Sequence, residues 1–168
     1  QIAKARGMTV SGSAGGADKC DWVRSLGADA VIDYKADGSL TRALIGAAPD
    51  GVDVYFDNVG GDHLDAALAA ARLRARFAIC GMIDIYNSTE PTRLRHLARV
   101  IGTRVTLRGF IVSDYFGRMD EFHREMGALL ANGALQRHET VFEGLEAAPD
   151  AFLGLFTGKN MGKMLVRV

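Results

Sequence analysis

Asp57 and Asn58, followed by Gly60 and Gly61, end the short apolar run Val52 to Phe56. Two polar side chains next to backbone that can turn sharply are what a ligand-facing loop requires. In open parallel α/β sheets, ligands bind where strands end in this way. On these residues alone, a turn that merely caps a helix opening near Asp62 is an equally good description. A second such place is Ser11-Gly12-Ser13-Ala14-Gly15-Gly16, followed by Lys19. A dinucleotide fold normally carries a carboxylate at the end of its second strand, about twenty positions after its glycine fingerprint, to bond the adenosine ribose. Small residues leave room instead, and a lysine supplies positive charge, for a 2′-phosphate that a carboxylate would repel. The pattern favours NADP over NAD, although Lys19 by itself also reads as a solvated residue in a helix's first turn. Tyr34, just past the next strand, either lies near the same ribose and phosphate or is a half-buried aromatic at a strand end.

Other chemistries find little support. His63, His96, His123 and His138 are scattered, and none forms HxxxH spacing or pairs with a cysteine motif. There is no GxSxG, and Cys80, in Ala-Ile-Cys-Gly at a strand end, reads as a small core residue rather than a nucleophile. No tyrosine is followed by lysine at YxxxK spacing.

The elements that must position these groups alternate. Gln1 to Gly7 reads as the last turns of a helix closed by glycine. Met8 to Ser11 reads as a strand, Gly12 to Gly16 as its loop, and about Asp18 to Leu26 as a helix burying Trp22, Val23 and Leu26. Ala30 to Ile32 is a strand ending at Asp33-Tyr34, and Leu40 to Ala48 a helix with Leu40, Ala43, Leu44 and Ala47 on one face. After the Val52 strand and its turn, a helix carries Leu64, Leu68 and Ala71, and Arg76 to Gly81 repeats the pattern of apolar strand and then glycine. This βαβα alternation implies a parallel sheet. Asn87 to Pro91 reads as a loop, Thr92 to Ile101 as an amphipathic helix and Val105 to Val112 as a strand. Met119, Phe122, Met126 and Leu129 mark a long helix ending near Asn132-Gly133. In the tail, strands at Glu139 to Phe142 and Lys163 to Val168 flank a helix from about Glu146 to Phe156, a style that suggests packing on something other than the main sheet.

Length bounds the architecture to one sizeable core and part of a second, at 168 residues. Twenty basic residues balance twenty acidic ones, so no bulk field favours nucleic acid or an anionic membrane. No apolar run is long enough to span a bilayer. Cys20 and Cys80 stand far apart, and a reducing cytoplasm is the expected location.

Phe56-Asp57-Asn58-Val59-Gly60-Gly61, then Ala78 to Ile83 with Tyr86-Asn87, then Arg108 to Val112 and Gly158 to Lys163, are spaced through the chain in an order that resembles the zinc-independent medium-chain dehydrogenases/reductases. More narrowly they resemble the NADPH-dependent alkenal double-bond reductases, the group of the prostaglandin and curcumin reductases. The resemblance implies a Rossmann-like, doubly wound parallel α/β sheet, truncated at its N-terminus. The family's first strand and glycine-rich loop, and its substrate domain before them, would lie upstream of Gln1. Residues 1–137 would then be a partial NADP-binding domain, and residues 138–168 a tail that packs on the substrate domain.

By the same resemblance, Gly15 and Lys19 meet the adenosine 2′-phosphate, Tyr34 the adjoining phosphate or ribose, and Asn58 the middle of NADP(H). Cys80 approaches the nicotinamide side, Phe110, Ile111 and Val112 border the nicotinamide ring, and Asn160 reaches the cofactor from the tail. Tyr86 is the expected catalytic residue, with an exposed loop tyrosine as the alternative, and no metal is expected. The implied reaction is hydride transfer to the double bond of an enone or enal, with the chain alone inactive. A quinone reductase and a non-catalytic dinucleotide-binding module are the alternatives. The strand at Val105 to Val112 resembles the family's dimer edge, so a homodimer is expected, with no nucleic-acid or membrane partner.

Overall fold

The computed structural model describes all residues from Gln1 to Val168. Its elements follow the expected alternation. Helix α1 (Ile2–Ala5) leads to β1 (Ser11–Ala14), α2 (Ala17–Ser25), β2 (Ala30–Asp33), α3 (Leu40–Ala47), β3 (Val52–Asp57), α4 (Gly61–Ala70) and β4 (Ala71–Ile79). Then come α5 (Arg99–Thr103), β5 (Thr106–Gly109), α6 (Met119–Ala131), β6 (Glu139–Glu143), α7 (Ala148–Thr157) and β7 (Lys163–Arg167). Every strand pairing is parallel, in the order β1-β2, β3-β4-β5 and β6-β7. Parallel strands need crossovers, and the helices between successive strands supply them.

The main sheet is divided. Strand β1 pairs only with β2, and β3 only with β4, so the break falls between β1 and β3. The core sits beside the larger piece, built from Leu64, Ala67 and Leu68 of α4, Ala71, Ala75 and Phe77 of β4, and Val105. Apolar positions three and four apart turn one face of α4 onto the sheet. Leu68 and Phe77 are almost wholly buried, and burying each side chain is worth about 1.5–3 kcal/mol. Strand β4 starts at Ala71, paired with Val52, and its ladder resumes at Arg76 opposite Val54. The extra residues are accommodated in a bulge where Arg74 takes φ 63.

Four elements differ from the sequence expectation. Strand β4 opens at Ala71, expected on the preceding helix, rather than at Arg76, because Ala71 already pairs with Val52. The first strand is Ser11–Ala14 rather than Met8 to Ser11, so the stretch read as a loop is the strand itself. Small residues are needed there because a side chain at Gly12 would stand 3.1 Å from Val23 Cγ1 of α2. The helix expected over 92–101 is only Arg99–Thr103. Upstream of it, the His96 N–H is bonded to Asp65 Oδ1 at 2.8 Å, which anchors the segment to α4. The strand expected over 105–112 ends at Gly109, and a 3-10 turn begins at Val112.

The tail holds the two strands and the intervening helix expected there and pairs the strands with each other, with α7 as the crossover between β6 and β7. Thr140 Oγ1 both donates to the Met161 carbonyl and accepts from the Met161 N–H, locking the start of β6 to the turn before β7. The tail also touches α2, where the Trp22 and His138 rings stand 5.7 Å apart. No helix is long and apolar enough to cross a membrane.

Candidate functional site

The C-terminal ends of β3 and β4 are tied together by the turn that follows β3. Asp57 is fully buried, and its Oδ1 accepts from the Tyr55 hydroxyl at 3.0 Å and from the N–H groups of Val59 and Gly60, both at 2.9 Å. Its backbone carbonyl accepts from Cys80 N–H at 2.8 Å and Gly81 N–H at 3.1 Å, so the turn also fixes where β4 ends. Asn58 and Val59 carbonyls then accept from Ile83 and Asp84 N–H, carrying the connection into the next loop. Gly60 is required in this turn: its φ is 75, and an added Cβ would stand 2.9 Å from the side chain of Met82. Burial, with Asp57 alongside, pushes the Tyr55 phenol far up, so Tyr55 stays a hydrogen-bond donor at any ordinary pH.

The residues singled out in the sequence fall into two groups along these strand ends. Tyr86 follows a 3-10 turn (Ile83–Ile85), and its hydroxyl lies over Gly81, 3.3 Å from where a Cβ would be. Cys80 is exposed and not the core residue expected, because β4 ends at Ile79 and leaves it beyond the buried part of the strand. Phe110, directly after β5, donates its N–H to the Ile79 carbonyl, and its ring meets Phe56 and Tyr115 edge to face. Ile111 and Val112 continue this rim and are exposed. Asn58, Cys80, Tyr86 and Phe110 thus gather at the ends of β3, β4 and β5.

The second group lies at the end of β1. A Cβ on Gly15 would stand 2.8 Å from both the Tyr34 hydroxyl and Lys35 Cε, so a side chain here would push those two ends away. Asp33 accepts from Gly16 N–H and Lys35 N–H, both at 2.9 Å, which fixes the two turns against each other and holds its carboxyl below the usual range. Gly15, Lys19 and Asn160 border one pocket of about 360 Å³ between α2 and the tail. Asn160 Nδ2 donates to the Gly162 carbonyl at 2.7 Å. Tyr34 leans on His63, with ring centroids 5.1 Å apart and nearly perpendicular. His63 Nε2 is buried without a partner, and burial lowers the imidazole pKa against the opposing pull of Asp57, Asp84 and Asp62.

Sequence reasoning missed Lys35, His63 and Lys159. Lys35 and Lys159 directly adjoin residues that it did select, Tyr34 and Asn160. His63 gave no signal, because its contact with Tyr34 joins separate elements. A larger cavity of about 670 Å³ has Tyr34, His63, Asp33 and Arg95 among its lining, and of the expected site residues only Tyr34 reaches it. No three His, Cys, Asp or Glu side chains come together as metal ligands do.

Parallel strands whose C-terminal ends carry a glycine-rich turn, a basic corner and an aromatic rim define a dinucleotide-binding α/β domain. The chain belongs to the zinc-binding dehydrogenase family, whose domain model matches residues 1–131. It is 43% identical to the NADPH-dependent curcumin reductase of Escherichia coli, covering 100% of this chain and 50% of that protein. Identity to the NADP-dependent 2-alkenal reductase of Nicotiana tabacum is 40%, over 100% of this chain and 49% of the relative. The crystal structure of CurA from Vibrio vulnificus in complex with NADPH superposes with a TM-score of 0.92 at 40% identity, covering 99% of this chain and 51% of that one. The chain spans about half the length of the curated relatives it matches. These likenesses bear out the expected resemblance to the alkenal double-bond reductases and the Rossmann-like α/β fold.

Proposed function

We propose that this chain forms the cofactor side of an NADPH-dependent reductase acting on the carbon–carbon double bond of α,β-unsaturated aldehydes or ketones. The observation that carries this reading is identity of about two residues in five, along the whole chain, with relatives named for that chemistry. The residues present fit the cofactor. Gly15 leaves a cradle that a Cβ would fill, and Lys19 faces the same corner with no carboxylate bonded to it.

NADPH, when bound, supplies the hydride that reaches the β-carbon of the enone. The protein must then stabilise negative charge on the carbonyl oxygen, and the Tyr86 hydroxyl is the donor in reach of the strand ends where that oxygen would lie. A donor that meets charge present only in the transition state accelerates the step, whereas equal binding of substrate does not. In this reading Gly15, Lys19 and Tyr34 hold the adenosine phosphate end, Asn58 the centre, Cys80, Phe110, Ile111 and Val112 the nicotinamide side, and Asn160 reaches in from the tail.

Residues 138–168 are proposed as the segment that returns to a substrate domain of the kind found in the longer relatives. The unpaired outer edge of β5, with the exposed Ile101 nearby, supports pairing of two copies. Two free cysteines, Cys20 buried and Cys80 exposed, support a cytoplasmic setting.

Calorimetric titration of this chain with NADPH and with NADH tests the cofactor assignment, which predicts tighter binding of NADPH. Equal affinity for the two would sink it. Joining the chain to the N-terminal half of the E. coli curcumin reductase tests the reaction, with consumption of NADPH expected on adding an enone. Consumption with quinones alone would point to a quinone reductase, and binding without turnover of either to a non-catalytic module.

A further inference from the structure

The pocket between α2 and the tail has two walls. One is Gly15 to Lys19, and the other is Gly158, Lys159, Asn160 and Met161, which approach from the far end of the chain. The walls come close: a Cβ on Gly158, whose φ is 66, would stand 3.1 Å from Lys19 Nζ. Lys159 lies with its stem along α7, where the missing side chain of Gly154 would fall 3.6 Å from its Cβ and 3.8 Å from its Cδ. Lys35 adds a third ammonium-bearing chain at the Gly15 side of the same corner.

The lysines here have no ion-pair partner. The lysines of the chain are Lys4, Lys19, Lys35, Lys159 and Lys163, and Lys4 is paired with Asp29 at 2.8 Å. No carboxylate lies within 4 Å of the other four; Lys19 and Lys159 line the pocket, and Lys35 reaches Gly15 at its edge. Asp18 is the carboxylate that lines the pocket, in the first turn of α2, and it bonds to none of them. Asp33, the other acid of this corner, is engaged with backbone N–H groups. Holding like charges together is unfavourable unless an anion joins them, and the anion that this corner suits has several oxygens to share.

We propose that Lys159 closes on the adenosine 2′-phosphate from the tail while Lys19 meets it from α2, which makes Lys159 a specificity-determining residue for NADPH over NADH. This rests on the cofactor reading above. Because NADH carries a hydroxyl at that place, Lys159 acts on one dinucleotide and hardly on the other, and specificity is that difference.

The test uses adenosine fragments, which present the 2′-phosphate without the nicotinamide half of the cofactor. Wild-type chain is titrated at low salt with 2′,5′-ADP and with 5′-AMP, alongside Lys159→Ala, Lys159→Arg and Lys163→Ala. Lys163 lies on β7 outside the pocket and serves as the control. Wild-type chain should prefer 2′,5′-ADP. Lys159→Ala should weaken 2′,5′-ADP by about tenfold, the usual worth of a hydrogen bond to a charged group, and leave 5′-AMP unchanged. Lys159→Arg should keep the preference, as should Lys163→Ala.

An unchanged preference in Lys159→Ala overturns the proposal while leaving the NADPH reading intact. Equal weakening of both ligands assigns Lys159 a structural role and overturns it too. A wild-type chain that prefers neither fragment, or binds neither, overturns the proposal and counts against the NADPH reading with it.

Discussion

The turn after β3 and the loop after β4 are neighbours with opposite characters. In the first, a fully buried Asp57 accepts three hydrogen bonds through one side-chain oxygen and two more through its carbonyl. In the second, every residue from Ile83 to Arg93 is exposed, and Tyr86, the proposed donor, is 63% exposed. The turn is over-determined, whereas the loop is held only at its root, where Ile83 and Asp84 bond to the turn's carbonyls. Precision is therefore built into the residue that does no chemistry, and the proposed chemical group borrows its position from it. Loops on a rigid scaffold commonly divide labour in this way.

The contrast breaks most visibly at Asp57. Asp57→Ala strands the Tyr55 hydroxyl and two buried N–H groups, and a loss of about 3–4 kcal/mol of stability is expected from urea denaturation. If the loss is under about 1 kcal/mol, the turn is not what holds the strand ends. Tyr86→Phe should show the reverse pattern in the chimera with the curcumin reductase half. Turnover of an enone should fall about a hundredfold, near 2.7 kcal/mol of transition-state stabilisation, while NADPH affinity and denaturation midpoint hold. Unchanged turnover would remove Tyr86 from the proposed mechanism.

The smallest effect concerns His63. Its folded pKa lies below the ordinary 6.5, so between the two values the unfolded chain binds more protons, and the folded state loses stability as pH falls below about 6.5. His63→Phe keeps an aromatic ring against Tyr34 and removes the titration, so its denaturation midpoint should fall less than wild type between pH 7 and pH 5. Parallel pH profiles would show that the imidazole is not desolvated.

Much of this was legible in sequence where pattern and environment agree. Strands β2 and β3, helix α3 and helix α6 fall within a residue or two of expectation because apolar spacing and glycine stops mark them. Strand β1 was misread because Met8, Thr9 and Val10 look more strand-like than Ser11 to Ala14, yet close packing on α2 selects small residues there. The helix over 92–101 has its apolar spacing, but the Asp65 side chain supplies a bond that no local pattern encodes. Glycine turns announced both halves of the site, since a side chain at Gly15 would displace Tyr34 and Lys35 and the backbone at Gly60 has φ 75. Lys159 could not be found that way, because it shares a pocket with Lys19 from 140 positions away in sequence.

The reciprocal bonds between Gln1 and Gln136 have a practical corollary. The Gln1 side chain donates to the Gln136 carbonyl at 3.2 Å and accepts from the Gln136 N–H at 2.7 Å. Polypeptide joined ahead of Gln1 therefore emerges beside the stretch that leads into β6. The junction with any upstream segment, including the reductase half joined for the turnover test, sits against the root of the tail. Val168 is 90% exposed, so a fluorophore placed at that residue displaces no packing.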